Sequence, residues 1–171
     1  MPIKKKICLL GAEAVGKTSL VRRYVLGIFS DRYLTTMGVK VDKKILHVAE
    51  EEVHLIVWDL AGEDELTQLR TDYLRGASGY LLVVDGTRIA TLHKALELQR
   101  KAADAVGSVP FVLVINKSDL ADEWFSLQDE LEESGCRFWP LCTTSARLGT
   151  GVEEAFLMLT RLMRAHQAEP G

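Results

Sequence analysis

Three apolar runs in this chain are continuous rather than alternating. They are Ile7-Cys8-Leu9-Leu10, Tyr80-Leu81-Leu82-Val83-Val84 and Phe111-Val112-Leu113-Val114-Ile115. Runs of that length suit strands buried on both faces, as in a parallel sheet. Two other segments, Val39 to Val48 and Val53 to Trp58, flank Ala49-Glu50-Glu51-Glu52 and predict an antiparallel hairpin. Helical patterns lie between the runs. Lys17 to Leu26 follows a glycine-rich loop. Ala90 to Val106 carries Leu92, Ala95, Leu96 and Leu98 and stops at Gly107. Gly151 to Arg164 places Val152, Ala155, Phe156, Leu159, Leu162 and Met163 at helical spacing. A weaker helix is predicted from Trp124 to Ser134, and a last strand from Phe138 to Cys142, where Pro140 argues for a sheet edge. Strands alternating with helices predict an α/β fold with a mostly parallel sheet. No repeat or linker interrupts the 171 residues, so a single domain, 1–171, is expected.

Composition narrows the function classes. Hydrophobic residues are 47% and charged residues 26%, which fits a globular chain. Lys and Arg total 21 against 24 Asp and Glu, a formal charge of −3. That balance offers no positive excess for binding nucleic acid by bulk charge, but it leaves room for one small phosphate ligand. Cys8, Cys136 and Cys142 make neither a disulfide framework nor a paired-cysteine zinc site, and the four histidines are scattered, so a reducing, cytoplasmic setting is expected. No apolar run approaches the ~20 residues of a membrane helix. Pro2 excludes myristoylation, and the C-terminus carries no prenylation cysteine, so no direct lipid anchor is expected.

In parallel sheets ligands bind at the carboxyl ends of strands, so the loops after the apolar runs are the places to search. Gly11-Ala12-Glu13-Ala14-Val15-Gly16-Lys17-Thr18 matches G-x-x-x-x-G-K-[ST] between a strand and a helix. Its N–H groups point inward at the N-terminus of the helix opening at Lys17, and with Ser19 they suit phosphates. Lys17 would reach the outer phosphates, and Thr18 would bind Mg²⁺. Trp58-Asp59-Leu60-Ala61-Gly62-Glu63 ends a strand; Asp59 suits Mg²⁺, and Gly62 could offer an N–H to a terminal phosphate. At Asn116-Lys117-Ser118-Asp119, Asp119 could accept two hydrogen bonds from guanine, a donor pair that adenine lacks. Asn116 could brace the loop and the Lys117 stem could cover a purine face; the competing reading makes Asp119 a cap for Leu120-Ala121-Asp122. Thr144-Ser145-Ala146-Arg147 could bring backbone N–H groups to the guanine carbonyl.

Together these loops resemble the Ras superfamily of small GTPases, from Lys5 to about His166, with Rab-like features in Thr36-Met37-Gly38-Val39 and Trp58-Asp59-Leu60-Ala61-Gly62. The resemblance implies a P-loop NTPase G domain, with a six-stranded sheet and five helices. It implies GTP and GDP with Mg²⁺ as ligands, and hydrolysis of GTP. It makes Thr36 a ligand of Mg²⁺ and the γ-phosphate, Phe29 the aromatic against guanine, and Tyr33 a switch residue near the phosphates. It extends the nucleotide contacts to Leu120 and Arg147. Effectors, exchange factors and activating proteins would bind the two switch segments, 31–41 and 60–75.

Two departures matter. Glu63 stands where the family carries the glutamine that orients the attacking water. A carboxylate has no amide hydrogen to donate, and like charges ~4 Å apart cost about 1 kcal/mol even in water. Slow hydrolysis is therefore expected, and the alternative is a hydrolysis-deficient pseudo-GTPase acting as a GTP-dependent binding module. Glu13 and Ala14 stand where Ras itself has glycines; Glu13 either crowds a partner's arginine or points to water. Arg32 and Arg75 read as charged surface, and Arg22 and Arg23 as a solvated helix face.

Overall fold

The computed structural model describes residues 1–29, 38–60 and 68–168. The strands are β1 (Ile3–Gly11), β2 (Val39–Val48), β3 (Glu51–Leu60), β4 (Gly79–Asp85), β5 (Phe111–Asn116) and β6 (Leu141–Thr143). The helices are α1 (Lys17–Leu26), α2 (Gln68–Tyr73), α3 (Ile89–Val106), α4 (Leu127–Glu133) and α5 (Val152–Ala168). One sheet runs in the order β2-β3-β1-β4-β5-β6. All neighbours are parallel except β2 and β3. This is the expected six-stranded sheet with its antiparallel edge hairpin.

The continuous apolar runs are two-faced strands. Ile7 and Leu9 of β1, Leu81 and Val83 of β4, and Val112 and Val114 of β5 face one core, shared with Leu20, Tyr24, Phe156 and Leu159 from α1 and α5. Cys8, Leu10, Tyr80, Leu82, Val84, Leu113 and Ile115 face the opposite core, closed by Leu92, Ala95 and Leu98 of α3. Alternation along each strand feeds both cores, so neither face is left for polar residues. All three cysteines are free. Burial pushes the Cys8 thiol up to about 12 and raises those of Cys136 and Cys142, so they stay protonated at neutral pH.

Three elements differ from the pattern read in the sequence. The hairpin turns on two residues, Ala49 and Glu50, at φ 50° and 67°. Two successive positive φ values are the type I′ geometry, whose twist matches the strands, and here it is made without glycine. The weaker helix begins at Leu127, not Trp124, because Ser118–Glu123 forms a 3₁₀ helix and Trp124 ends it. The last strand shortens to Leu141–Thr143, with Pro140 just outside it on the sheet edge. Pro140 has no N–H for a ladder, and its carbonyl instead accepts from Leu113 N–H at 2.8 Å.

Candidate functional site

The carboxyl ends of β1, β3, β4, β5 and β6 lie side by side, and each contributes to one site. β1 runs into residues 11–16, where Ala14 and Gly16 take φ 63° and 101°. Left-handed residues set among right-handed ones make a concave nest of N–H groups. Gly16 is required twice over. Its φ strains any side chain, and a methyl there would land on the Asn116 amide nitrogen. Gly16 also precedes α1, whose N-terminus has no side-chain cap. The first-turn N–H groups therefore stand at the mouth of the loop with the positive end of the helix dipole.

Lys17 is 6% exposed. Its Nζ folds back over the loop and donates to Gly11 O at 2.8 Å and Ala12 O at 3.1 Å. The charge thus sits over the nest. Thr18 Oγ1 donates to Asp59 Oδ2 at 2.6 Å, which brings the start of α1 to the end of β3. A hydroxyl and a buried carboxylate, both hard oxygens, suit Mg²⁺. Among the described residues no cluster of three or more His, Cys, Asp or Glu could hold a metal ion, so this pair is the candidate. Ser19 follows on α1, half-buried, and the Glu13 side chain is exposed.

The loops after β5 and β6 are fixed by buried polar groups. Asn116 is 2% exposed and its amide bridges three segments. Nδ2 donates to Val15 O at 3.0 Å, while Oδ1 accepts from Thr144 Oγ1 at 3.0 Å and from Ala146 N at 3.3 Å. Lys117 takes a left-handed φ of 73°. Its ammonium pairs with Asp85 Oδ2 at 2.8 Å and donates to Ala14 O at 3.2 Å, so the stem spans from β5 to the phosphate loop. Asp119 lies inside the 3₁₀ helix rather than at its cap position, which Lys117 occupies. Its Oδ1 accepts from Ser145 Oγ at 2.9 Å, which orients the carboxylate. The Thr144 and Ser145 N–H groups donate to Ile115 O and Thr150 O, both inside the protein. Ala146 N–H donates to the Asn116 side chain through the longer bond of 3.3 Å. Leu120 and Arg147 lie exposed on these loops. Phe29 packs, partly buried, against the core shared by α1 and α5.

Several residues of the site were not singled out from the sequence. Asp85, 1% exposed at the end of β4, accepts from Thr87 N–H and Oγ1 at 2.9 and 2.7 Å and pairs with Lys117 and Arg88. Burial alone would raise its carboxyl; the hydrogen bonds from Lys117, Thr87 and Arg88 outweigh that and hold it below the usual carboxylate range. A carboxylate ending an apolar run was the available clue. Trp124 donates from Nε1 to Lys117 O at 2.9 Å and lies on Gly86, where a methyl would fall on the indole ring. Arg23 is not a solvated residue: Nε donates to Ala146 O at 2.8 Å and Nη2 to Arg147 O, tying α1 to the base loop. Arg75 is exposed and pairs with Asp72. Tyr33, Thr36, Gly62 and Glu63, with Arg32, lie outside the described residues.

Comparison with known proteins bears on this arrangement. The family model described as Ras family matches residues 6–165. The chain is 33% identical to Ras-related protein Rab-7L1 of Rattus norvegicus, over 96% of this chain and 84% of that protein. It is 32% identical to GTP-binding protein ypt1 of Schizosaccharomyces pombe, covering 93% and 79%. It is also 32% identical to human Ras-related protein Rab-7b, covering 95% and 84%.

Proposed function

The chain belongs to the Ras family of small GTPases, and from that membership we propose a single-domain, Mg²⁺-dependent switch that binds GTP and GDP and hydrolyses GTP slowly. The observation that carries the reading is the convergence of two built half-sites on one sheet edge. Lys17, Thr18 and Asp59 form one half, and Asn116, Lys117 and Asp119 the other, and the Asn116 amide joins them through Val15 O. The spacing of a nucleoside phosphate links a base reader to a phosphate cradle in this way.

Each residue then has a task. The N–H groups of residues 13–18 and the Lys17 ammonium bind the phosphates and stabilise charge that grows on them as water attacks the γ-phosphorus. Thr18 and Asp59 would hold Mg²⁺, with Thr36 as a further ligand in the GTP state. Bound Mg²⁺ supplies neutralisation of the phosphate charge. Asp119 accepts from the guanine ring N–H and exocyclic amine, Ala146 N–H donates to its carbonyl, and Lys117 and Phe29 cover the ring. By family membership Tyr33 and Gly62 would contact the outer phosphates in the GTP state and lose that contact once the γ-phosphate leaves. Effectors, exchange factors and activating proteins bind 31–41 and 60–75, which change with the nucleotide.

Glu63 sets the rate. At the position of the family's glutamine, its carboxylate would add a like charge beside the γ-phosphate and orient water less well than an amide. Replacing it by glutamine should raise the single-turnover rate of GTP cleavage, read as phosphate release from preloaded protein. A fall in that rate would make Glu63 a working base. The second reading, a binding module that holds GTP without cleaving it, also rests on Glu63. It predicts no phosphate release over hours from the unaltered chain.

A further inference from the structure

Every backbone carbonyl from residue 11 to residue 16 accepts a hydrogen bond from a donor outside those six residues. Lys17 Nζ takes Gly11 O and Ala12 O, Asn116 Nδ2 takes Val15 O, and Leu20 N–H takes Gly16 O. Lys117 Nζ takes Ala14 O at 3.2 Å. The remaining carbonyl, Glu13 O, accepts from Arg88 Nη2 at 2.9 Å. A planar peptide points its C=O and its N–H in opposite directions. Holding the oxygens of Glu13, Ala14, Val15 and Gly16 on the side away from the nest therefore turns the N–H groups of the same peptides toward it.

Arg88 stands apart from the other donors because no nucleotide motif contains it. Its guanidinium is anchored by Nε on Asp85 Oδ2 at 3.0 Å. That oxygen also holds Lys117 at 2.8 Å, and the other carboxylate oxygen is fixed by Thr87. One buried carboxylate thus aims two cations at two consecutive carbonyls, Glu13 O and Ala14 O. A guanidinium suits the task because its rigid fork reaches two acceptors at once. The alternative, an incidental surface pair, fits poorly with a partner carboxylate that is 1% exposed.

We propose that Arg88, anchored on Asp85, is a positioning residue that locks the Glu13–Ala14 peptide against the outer phosphates of the bound nucleotide. The role rests on the reading that this loop holds a guanine nucleotide. Asp85 keeps Lys117 and Thr87 when Arg88 is removed, so the base-reading side stays ordered. The effect should then fall on phosphates beyond the first.

The test compares Arg88→Ala and Arg88→Gln with the unaltered full chain, using a fluorescent GDP analogue for dissociation and calorimetry for GMP. In Arg88→Gln the shorter, uncharged amide reaches only one of the two acceptors. A charge-assisted hydrogen bond on a half-exposed side chain predicts GDP release faster by about 3- to 10-fold. GMP affinity should change by less than about twofold, because GMP lacks the outer phosphates that the Glu13–Ala14 peptide faces. Unchanged GDP release in both variants, or equal losses of GDP and GMP affinity, would overturn the proposal. Unaltered protein that binds neither GDP nor GMP would overturn the guanine-nucleotide reading itself, and this role with it.

Discussion

At the scale of single residues, the site depends on carboxylates whose partners decide what they can bind. Asp119 is oriented by Ser145 Oγ on one oxygen, and the guanine reading requires it to accept two donors from the base. Changing Asp119 to asparagine turns one acceptor into a donor, which suits the ring carbonyl of xanthine in place of the guanine amine. Competition binding should show guanine affinity falling by about 10²-fold or more while xanthine nucleotides gain. An unchanged preference would remove Asp119 from base recognition. Asp119 was legible because it ends a four-residue pattern after an apolar run. Asp85 and Arg88 were not, because a single carboxylate and a single arginine have no period, and only the fold brings them to Glu13. Arg23 was misread for the same reason: its helix spacing says outward, yet the loop of Ala146 and Arg147 covers that face.

At the scale of elements, the phosphate loop and the base loop are one unit. Asn116 joins β5 to Val15, and Trp124 joins the 3₁₀ helix to Lys117 O. Gly16 lies at that junction. A Gly16→Ala change meets two penalties, a side chain at φ 101° and a clash with the Asn116 amide. It should destabilise the nucleotide-free chain by about 1–3 kcal/mol in denaturant titration. It should weaken binding through both loops together. A variant as stable as the parent would mean that Asn116 moves aside without cost. The strands, by contrast, were legible in outline from continuous apolar runs, and the hairpin from two apolar segments flanking the short polar turn at Ala49–Glu52. The start of α4 was not, because the hydrophobic residues Trp124 and Phe125 fit a helical pattern while Trp124 is spent on Lys117.

At the scale of the whole molecule, two cores on opposite faces of one sheet hold five strand ends in a row. That geometry brings the end of β3 and the loops after β1, β5 and β6, from Gly11 to Arg147 in sequence, to one side of the sheet. The family and fold were readable because spaced motifs and two-faced strands repeat local rules. The clamp around residues 11–16 was not, because it consists of long-range polar contacts. The central claim is that this pocket selects guanine nucleotides. The most direct measurement is to denature the purified chain and identify the released nucleotide by chromatography, with its ratio to protein. The account predicts GDP or GTP at about one per chain, as expected when one built pocket takes one ligand. Adenine nucleotide in its place, or protein that neither carries nor takes up guanine nucleotide with Mg²⁺ present, would contradict it.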